Sequence, residues 1–154
     1  MDYVQSPKDA DGCIFCTRPA AGDDEEYLIV LRGELAYAML NLYPYNNGHL
    51  LIAPYDHEAQ LDRLDPATQQ EMLTLSTRCM KVIREAMQAT GFNFGANLGS
   101  AAGAGIAEHV HLHVVPRWVG DTNFMPVLGH TKVQVQGLRE TRDLLARALA
   151  EPEE

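Results

Sequence analysis

Three histidines recur at every second position of one apolar segment. His109, His111 and His113 alternate there with valine and leucine residues. Because successive side chains of a β-strand point to opposite faces, the three imidazoles would line one face while the apolar residues enter the core. Near neutral pH an imidazole is largely unprotonated and can act as a nucleophile, a general base or a metal ligand. The segment therefore predicts a catalytic centre with a histidine nucleophile or, as the alternative, a metal site with three histidine ligands.

Two cysteines near the start of the chain form a second candidate centre. Cys13 and Cys16 have the C-x-x-C spacing that is common in structural zinc sites, and a tetrahedral site needs two further ligands. A thioredoxin-type redox pair would lie inside a βαβ unit, which this segment does not offer. The third cysteine, Cys79, lies among the apolar positions of a predicted helix and is interpreted as a core residue. The pair therefore indicates a metal site.

A loop rich in glycine and alanine, residues 99–105, precedes the histidine segment. Its backbone amides could stabilise the negative charge that develops on phosphoryl oxygens. The loop lacks the Gly-Lys-Ser or Gly-Lys-Thr ending of a P-loop, which excludes a Walker-type ATPase. The amides around Gly103 and Gly105 are the ones that we predict to face a phosphate.

Short apolar segments separated by turn-forming residues must position these side chains. Strands are predicted over residues 27–31, 35–40, 49–53, 92–97 and 110–115, with a weaker one over 131–136. Asp65 and Pro66 are typical of a helix start, and apolar residues at helical spacing extend to Gly91, a length of about 25 residues. A terminal helix is predicted over residues 138–150. Because the strands come in runs rather than in strict βαβ alternation, we predict an α+β fold with a mostly antiparallel five-stranded sheet, one long helix and one terminal helix.

Length and charge restrict the class of protein. A chain of 154 residues has the usual size of one domain, which we assign to residues 1–150, followed by an acidic tail over residues 151–154. The formal net charge of −9 and the lack of a basic cluster exclude a nucleic-acid polymer as the main partner. Residues 1–11 lack the apolar core of a signal peptide, and no segment is apolar over a membrane-spanning length. We therefore predict a cytoplasmic protein without a membrane partner.

Together these motifs resemble the histidine triad (HIT) family. The family signature, His-x-His-x-His followed by two apolar residues, matches the segment from His109 to Val115. The similarity extends over most of the chain, from Cys13 through the Gly-His-Leu-Leu-Ile-Ala-Pro segment that begins at Gly48 to Asn123. The resemblance implies a HIT-like fold.

The resemblance also implies a role for each histidine of the triad. In the family the middle histidine attacks the α-phosphorus of a nucleotide, which makes His111 the expected nucleophile of a nucleotidyl-histidine intermediate. The outer histidines, His109 and His113, would support it, and His113 would contact the phosphate. A hydrogen bond at Nδ1 of His111 would leave Nε2 free to attack.

Further residues are implied to bind the nucleotide. Asn41 matches an asparagine that holds ribose hydroxyls, and a strand-end asparagine also commonly caps a turn, so both roles stay open. Asn97 matches a polar position on the phosphate side, and Arg117 is a further candidate for anion binding. Trp118 is expected to stack on adenine or to close the site across a dimer, with plain packing as the alternative. The full set is Asn41, His49, Asn97, Gly103, Gly105, Arg117 and Trp118.

The resemblance also completes the cysteine pair. Related galactose-1-phosphate uridylyltransferases and many bacterial HIT proteins add two histidines to such a pair. The matching residues are His57 and His109, which implies a structural zinc ion bound by Cys13, Cys16, His57 and His109. Zinc binding would take the His109 imidazole out of the catalytic proton network, so the two roles of His109 partly exclude each other.

The segment from Val115 to Pro126 is similar to a bacterial branch that includes diadenosine tetraphosphate phosphorylases. In that branch Gly-Ala-Gly-Ile, here beginning at Gly103, stands where many other members have Gly-Gln-Ser or Gly-Gln-Thr. The similarity implies cleavage of dinucleoside polyphosphates, with phosphate converting diadenosine tetraphosphate into ATP and ADP. The alternatives are a nucleoside phosphoramidase or nucleotidyl hydrolase with the same intermediate, and a nucleotide-binding sensor with little turnover. The family resemblance also implies a homodimer.

Overall fold

The computed structural model describes residues 12–122, 124–129 and 136–152. Within these residues the strands are β1 Ile29–Arg32, β2 Ala36–Leu40, β3 Leu50–Pro54, β4 Gly91–Gly95 and β5 Leu112–Arg117. The α-helices are α1 Ile14–Ala21, α2 Pro66–Met87, α3 Met125–Gly129 and α4 Leu138–Ala150. Short 3-10 turns occur at Leu61–Arg63 and Ser100–Ala102. Residues 131–135 of the weaker predicted strand lie outside the described residues.

The strands form one sheet in the order β1-β2-β3-β5-β4, and every pairing in it is antiparallel. Its register places Met39 opposite Leu51, Leu51 opposite His113, and His113 opposite Gly95. The order inserts β5 between β3 and β4, so His113 lies inside the sheet rather than at its edge. The predicted α+β fold with an antiparallel five-stranded sheet, one long helix and one terminal helix is confirmed.

Apolar residues cover both faces of the central strands, which explains why β2 and β3 are buried throughout. Helices α2 and α4 pack on one face, where Ile52 and Val114 join the main core. On the other face Phe15 of α1 packs in a smaller cluster that includes Leu51. Directly paired residues of an antiparallel sheet point to the same face, so His113, opposite Leu51, shares that side. We call it the histidine face.

Local interactions set the ends of α2. The side chain of Asp65 accepts a hydrogen bond from the Ala67 amide at 2.9 Å, which caps the helix start as the sequence predicts. The helix ends at Met87 because Gln88 takes a left-handed conformation with φ of 57°. It is therefore 22 residues long, slightly shorter than predicted. Cys79 is fully buried in its apolar face, in agreement with the predicted core role.

Two local features differ from the sequence predictions. The pattern does not predict α1, because this helix has only eight residues, includes Pro19 and lacks a strong apolar stripe. Strand β5 begins at Leu112 rather than at residue 110. The reason is that the Val110 amide donates its hydrogen to the Glu58 carbonyl at 2.7 Å, outside the sheet.

The C-terminal part of the chain packs back on the sheet through α4. The helix contacts α2 and β1, and Leu145 and Leu149 are buried there. Glu151 and Pro152 beyond it are exposed, and residues 153–154 of the predicted tail lie outside the described residues. None of the helices within the described residues is long and apolar enough to cross a lipid bilayer. The single domain over residues 1–150 stays a prediction.

Candidate functional site

The pairing of β3 with β5 brings distant histidines together. His49 directly precedes β3, and His113 is the second residue of β5. Their ring centroids lie 5.2 Å apart, and the ring of His111 lies 5.0 Å from that of His113. The structure thus groups three residues that the sequence singles out, although His49 and His113 are 64 positions apart.

The buried ring of His111 is held by its own chain. Its Nδ1 lies 2.9 Å from the carbonyl oxygen of His109, and a carbonyl can only accept, so Nδ1 carries the hydrogen. Nε2 therefore holds the lone pair, and it has no hydrogen-bond partner among the described residues. Phe15 packs on the ring with a centroid distance of 4.6 Å. Burial lowers the pKa of His111, which keeps the ring neutral near pH 7. This is the state that a nucleophilic imidazole requires.

A chain of hydrogen bonds through His49 fixes the ring of His113. The Tyr45 amide donates to Nδ1 of His49 at 3.0 Å, so that nitrogen is an acceptor and the hydrogen of a neutral His49 is on Nε2. Nε2 of His49 lies 2.9 Å from Nδ1 of His113 and donates to it. A neutral His113 then carries its own hydrogen on Nε2. Burial, with a smaller contribution from His111, lowers the pKa of His113 to about 4, so the ring is neutral near pH 7.

The chain of hydrogen bonds ends at the N–H of His113, which has no acceptor among the described residues. Nε2 of His113 is buried and has no hydrogen-bond partner among the described residues. A buried N–H without a partner is costly, and such groups commonly mark functional sites. An oxygen of a bound phosphate is the kind of acceptor that this N–H lacks. Adjacent rings thus offer a lone pair on His111 and a hydrogen on His113.

Four further side chains converge beside the ring of His111. Nδ1 of His109 lies 3.4 Å from Sγ of Cys13, 3.6 Å from Sγ of Cys16 and 3.3 Å from Nδ1 of His57. Sγ of Cys16 lies 3.4 Å from Nδ1 of His57. All four ligand atoms lie within 4.8 Å of one another, so the group could hold a metal ion. It is the set that the resemblance implies, whereas the described residues show no such grouping of the three triad histidines.

The surroundings of His109 suit a metal ligand. Its Nε2 donates to the Pro54 carbonyl at 2.9 Å, which leaves the lone pair on Nδ1, toward the cysteines. Burial lowers the pKa of His109 to about 4, so the ring is neutral. Burial and the neighbouring Cys13 raise the pKa of Cys16 to about 11, so its thiol keeps its proton until a cation binds. The imidazole of His109 therefore belongs to the cysteine group, and its carbonyl serves His111.

Asn41 and Asn97, two residues predicted to contact the nucleotide, differ in their hydrogen bonding. Oδ1 of Asn41 accepts from the Tyr43 amide at 3.0 Å, and its Nδ2 lies 3.4 Å from Nδ1 of His49. Asn41 thus caps the turn that positions His49, and its contact with ribose stays a prediction. Asn97 is half-buried, and its side chain has no hydrogen-bond partner among the described residues, so it is available to a ligand.

Arg117 and Trp118 form a local structure at the end of β5. Arg117 makes a two-pronged ion pair with Asp121, with both distances 2.7 Å, and donates to Asn93 at 2.8 Å. It also lies four residues beyond His113, about 13 Å along the strand. Nε1 of Trp118 donates to the Met87 carbonyl at 3.1 Å, and the ring packs against the main core. Their predicted contacts with a nucleotide stay predictions.

The glycine loop offers fewer amides than expected. The Gly103 amide donates to the Ser100 carbonyl at 3.0 Å, so it is used inside the 3-10 turn. The Gly105 amide has no hydrogen-bond partner among the described residues. Ile106, the next residue, packs against the apolar cluster of the histidine face. Of the two predicted anion donors, Gly105 is therefore the one whose amide is available to a ligand within the described residues.

Sequence reasoning does not identify two residues that shape the site. Asn46 donates to the Pro116 carbonyl at 3.1 Å and to Asp121 at 2.9 Å, which ties the loop before His49 to the end of β5. Tyr45 contacts both His49 and His113 with its ring. The only sequence signal was that both lie in the turn-rich segment that leads into His49.

Comparison with known proteins identifies a family model and relatives that match this chain. A family model described as HIT domain matches residues 24–119, more than half of the chain. The AP-4-A phosphorylase of Mycobacterium tuberculosis is 50% identical over 123 residues, which cover 80% of this chain and 63% of that protein. The match therefore spans less than two thirds of the relative's length.

Solved structures agree with the architecture described above. A zinc-bound histidine triad family protein from Mycobacterium smegmatis superposes with a TM-score of 0.75 at 29% identity, covering 92% of this chain and 96% of that chain. A hypothetical histidine triad nucleotide-binding protein from Sulfolobus tokodaii superposes with a TM-score of 0.72 at 25% identity, covering 89% and 91%.

Proposed function

The chain belongs to the HIT domain family, and on that premise we propose that it cleaves dinucleoside polyphosphates through a nucleotidyl intermediate on His111. One observation carries the proposal. The neighbouring rings of His111 and His113, 5.0 Å apart, present a lone pair and an N–H donor that has no partner among the described residues. A nucleophile next to a buried donor is the arrangement that phosphoryl transfer requires.

The chemistry follows from these two atoms. Nε2 of His111 would attack the α-phosphorus, forming a P–N bond while the bond from phosphorus to the bridging oxygen breaks. The leaving nucleotide keeps that electron pair, and the N–H of His113 would stabilise charge on a phosphoryl or leaving oxygen. An oxygen of the final acceptor, either phosphate or water, then attacks the same phosphorus. The P–N bond breaks, and His111 recovers its lone pair.

The similarity to AP-4-A phosphorylase supports diadenosine tetraphosphate as substrate and phosphate as acceptor. Transfer of the adenylyl group from His111 to phosphate gives ADP, and the leaving group is ATP. Water is far more abundant, so phosphate can win only if an anion site positions it. Gly105 and Asn97, both without partners among the described residues, are our candidates for that site, with Arg117 and Gly103 less favourably placed.

An assay on diadenosine tetraphosphate tests this function. Phosphorolysis predicts ATP and ADP, with a rate that rises and saturates as phosphate is added, while His111→Asn protein forms neither product. ATP and AMP at a rate indifferent to phosphate would instead identify a nucleotidyl hydrolase. No turnover of diadenosine tetraphosphate or of a nucleoside phosphoramidate, despite nucleotide binding, would identify a sensor and overturn the proposal.

We also propose that Cys13, Cys16, His57 and His109 hold a structural zinc ion. A tetrahedral zinc ion with bonds of about 2.3 Å to sulfur and 2.0–2.1 Å to nitrogen requires ligand-to-ligand distances of about 3.3–3.8 Å. Four of the six distances between these ligand atoms are 3.3–3.6 Å and fit that requirement, and all six are within 4.8 Å. The M. smegmatis neighbour, described as zinc-bound, supports the same choice of metal. The ion would supply cross-linking rather than chemistry, since all four positions of a tetrahedron are filled.

We propose that two copies pair through β4. Within the described residues this strand forms one edge of the sheet, next to the strand that carries His113, and its Phe94 is 45% exposed. An open edge with an exposed aromatic residue favours pairing with a second chain. Sedimentation velocity of the wild type should show a dimer, and Phe94→Lys should weaken it. Leu73→Lys, a change at an equally exposed residue of α2, is the control and should leave the dimer intact. A monomeric wild type would contradict the proposal.

A further inference from the structure

Tyr45 makes three contacts with the His49 and His113 pair. Its amide donates to Nδ1 of His49 at 3.0 Å. Its ring centroid lies 4.6 Å from that of His49, with the planes tilted by 44°. Against His113 the centroid distance is 5.8 Å and the planes are almost parallel, at 7°.

The hydrogen bond from the Tyr45 amide and the contacts of the Tyr45 ring have different effects on the histidine pair. The amide decides which nitrogen of His49 accepts, and through the hydrogen bond to His113 it decides which nitrogen of His113 carries the hydrogen. The ring forms an offset stack on His113, a favoured arrangement of aromatic pairs. Stacking restricts rotation of the His113 ring, which would otherwise move its Nε2 and break the bond to His49.

Tyr45 is itself held in place by the turn around it. Asn46, the next residue, is tied to Pro116 and Asp121 by side-chain hydrogen bonds. Gly48 adopts φ of 72°, and a Cβ there would lie only 3.0 Å from Sδ of Met87, so the turn closes tightly on α2. The position of the Tyr45 ring therefore follows from a rigid segment, although the side chain is 52% exposed.

We propose that Tyr45 is a positioning residue for the transfer reaction, holding the His49–His113 pair so that the Nε2 hydrogen of His113 stays directed toward the reacting phosphate. This inference rests on the proposed function. It predicts that the ring of Tyr45, rather than its hydroxyl group, is the part that matters, because the contacts with His49 and His113 are made by the ring and the backbone.

Three variants test the inference. Tyr45→Ala removes the stack and should lower kcat by up to about a hundredfold, the loss expected from a displacement of about 1 Å, with little change in KM. Tyr45→Phe keeps the ring and should restore most of the rate. Tyr43→Ala is the matched control, since Tyr43 lies in the same turn, is 70% exposed and makes no ring contact with a histidine among the described residues. Thermal unfolding of all three variants checks that they fold, and Tyr45→Leu replaces Tyr45→Ala if that variant does not.

A second readout does not depend on activity. Nitrogen-15 NMR of labelled histidines should show His113 of the wild type and of Tyr45→Phe as a single tautomer with hydrogen on Nε2, and an averaged signal in Tyr45→Ala. The inference is overturned if Tyr45→Ala keeps the wild-type kcat and tautomer, or if Tyr45→Phe loses as much rate as Tyr45→Ala. If His111→Asn shows that the proposed function is wrong, the NMR comparison still decides whether Tyr45 positions His113.

Discussion

Backbone groups determine which ring nitrogen of His111 and of His113 carries the hydrogen. The carbonyl of His109 fixes the hydrogen of His111 on Nδ1, and the amide of Tyr45 acts through His49 to fix the hydrogen of His113 on Nε2. Neither a peptide carbonyl nor a peptide amide titrates near neutral pH. The assignment of lone pair and hydrogen is therefore independent of pH as long as the rings themselves stay neutral.

Replacing His111 tests most directly whether this residue is the nucleophile. His111→Asn should reduce kcat by 10⁴-fold or more, as removal of a nucleophile does in other enzymes, while nucleotide binding persists. His113→Ala should cost less, roughly 10²–10³-fold, since it removes a stabilising donor and leaves the nucleophile. Acid quenching of a reaction with labelled substrate should trap a protein-bound nucleotidyl group in the wild type. A His111→Asn variant that keeps more than about a tenth of the rate would exclude His111 as nucleophile.

The metal-ligand group joins three elements at the point where β5 begins. Cys13 and Cys16 come from the start of α1, His57 follows β3, and His109 precedes β5. The Val110 amide is also bound to the Glu58 carbonyl, next to His57. An ion held by all four ligands would therefore fix the backbone of His109, whose carbonyl orients His111.

Loss of the metal should therefore affect stability and the nucleophile together. Purified protein should contain close to one equivalent of zinc, and Cys16→Ser should lose the ion with a fall in thermal stability, since a structural site contributes to folding. The NMR signal of the Nδ1 hydrogen of His111 should broaden in the same variant. Cys79→Ser is the control, because it removes a core cysteine and should leave the metal content unchanged. Metal-free native protein of full stability would contradict the prediction.

A single carboxylate connects α2 to the turn between β1 and β2. Glu71 accepts hydrogen bonds from the amides of Glu34, Leu35 and Ala36. Glu71→Ala should lower the free energy of unfolding by about 1–3 kcal/mol, because it leaves these donors without their partner. Glu85→Ala, an exposed site on the same helix, should change it by no more than about 0.5 kcal/mol. Urea unfolding measures both, and equal effects of the two variants would show that the Glu71 contacts contribute nothing.

The periodicity of the sequence predicts secondary-structure elements well where the apolar pattern is long or where two residue types alternate strictly. It predicts α2 from its apolar spacing and the histidine face from the alternation of His109, His111 and His113. It does not predict the contact of His49 with His113, because residues 64 positions apart meet only through the order of strands in the sheet. It also treats Arg117 as an open cation, whereas the turn to Asp121 pairs it with a carboxylate only four residues away.

Local desolvation outweighs the overall charge of the protein in setting the pKa values of the buried histidines. A net charge of −9 favours protonated imidazoles, yet burial is the largest cause of the lowered pKa values of His109, His111 and His113. Interactions between exposed charges are screened beyond about 10 Å in salt, whereas desolvation acts directly on the buried ring. The fold therefore keeps these histidines neutral in mild acid, below the ordinary pKa of 6.5, where an unfolded chain would protonate them.

This difference predicts that the protein loses stability in mild acid. In the unfolded chain a histidine binds a proton below its ordinary pKa of 6.5, while His109 and His113 in the folded protein do so only near pH 4. Between these values the unfolded state binds more protons, so the free energy of unfolding falls as pH decreases from about 6.5 toward 4. His113→Gln should make this fall shallower, because it removes one of the responsible groups and leaves the metal ligands intact. Urea unfolding at several pH values measures both slopes, and a wild type equally stable at both ends of this range would contradict the argument.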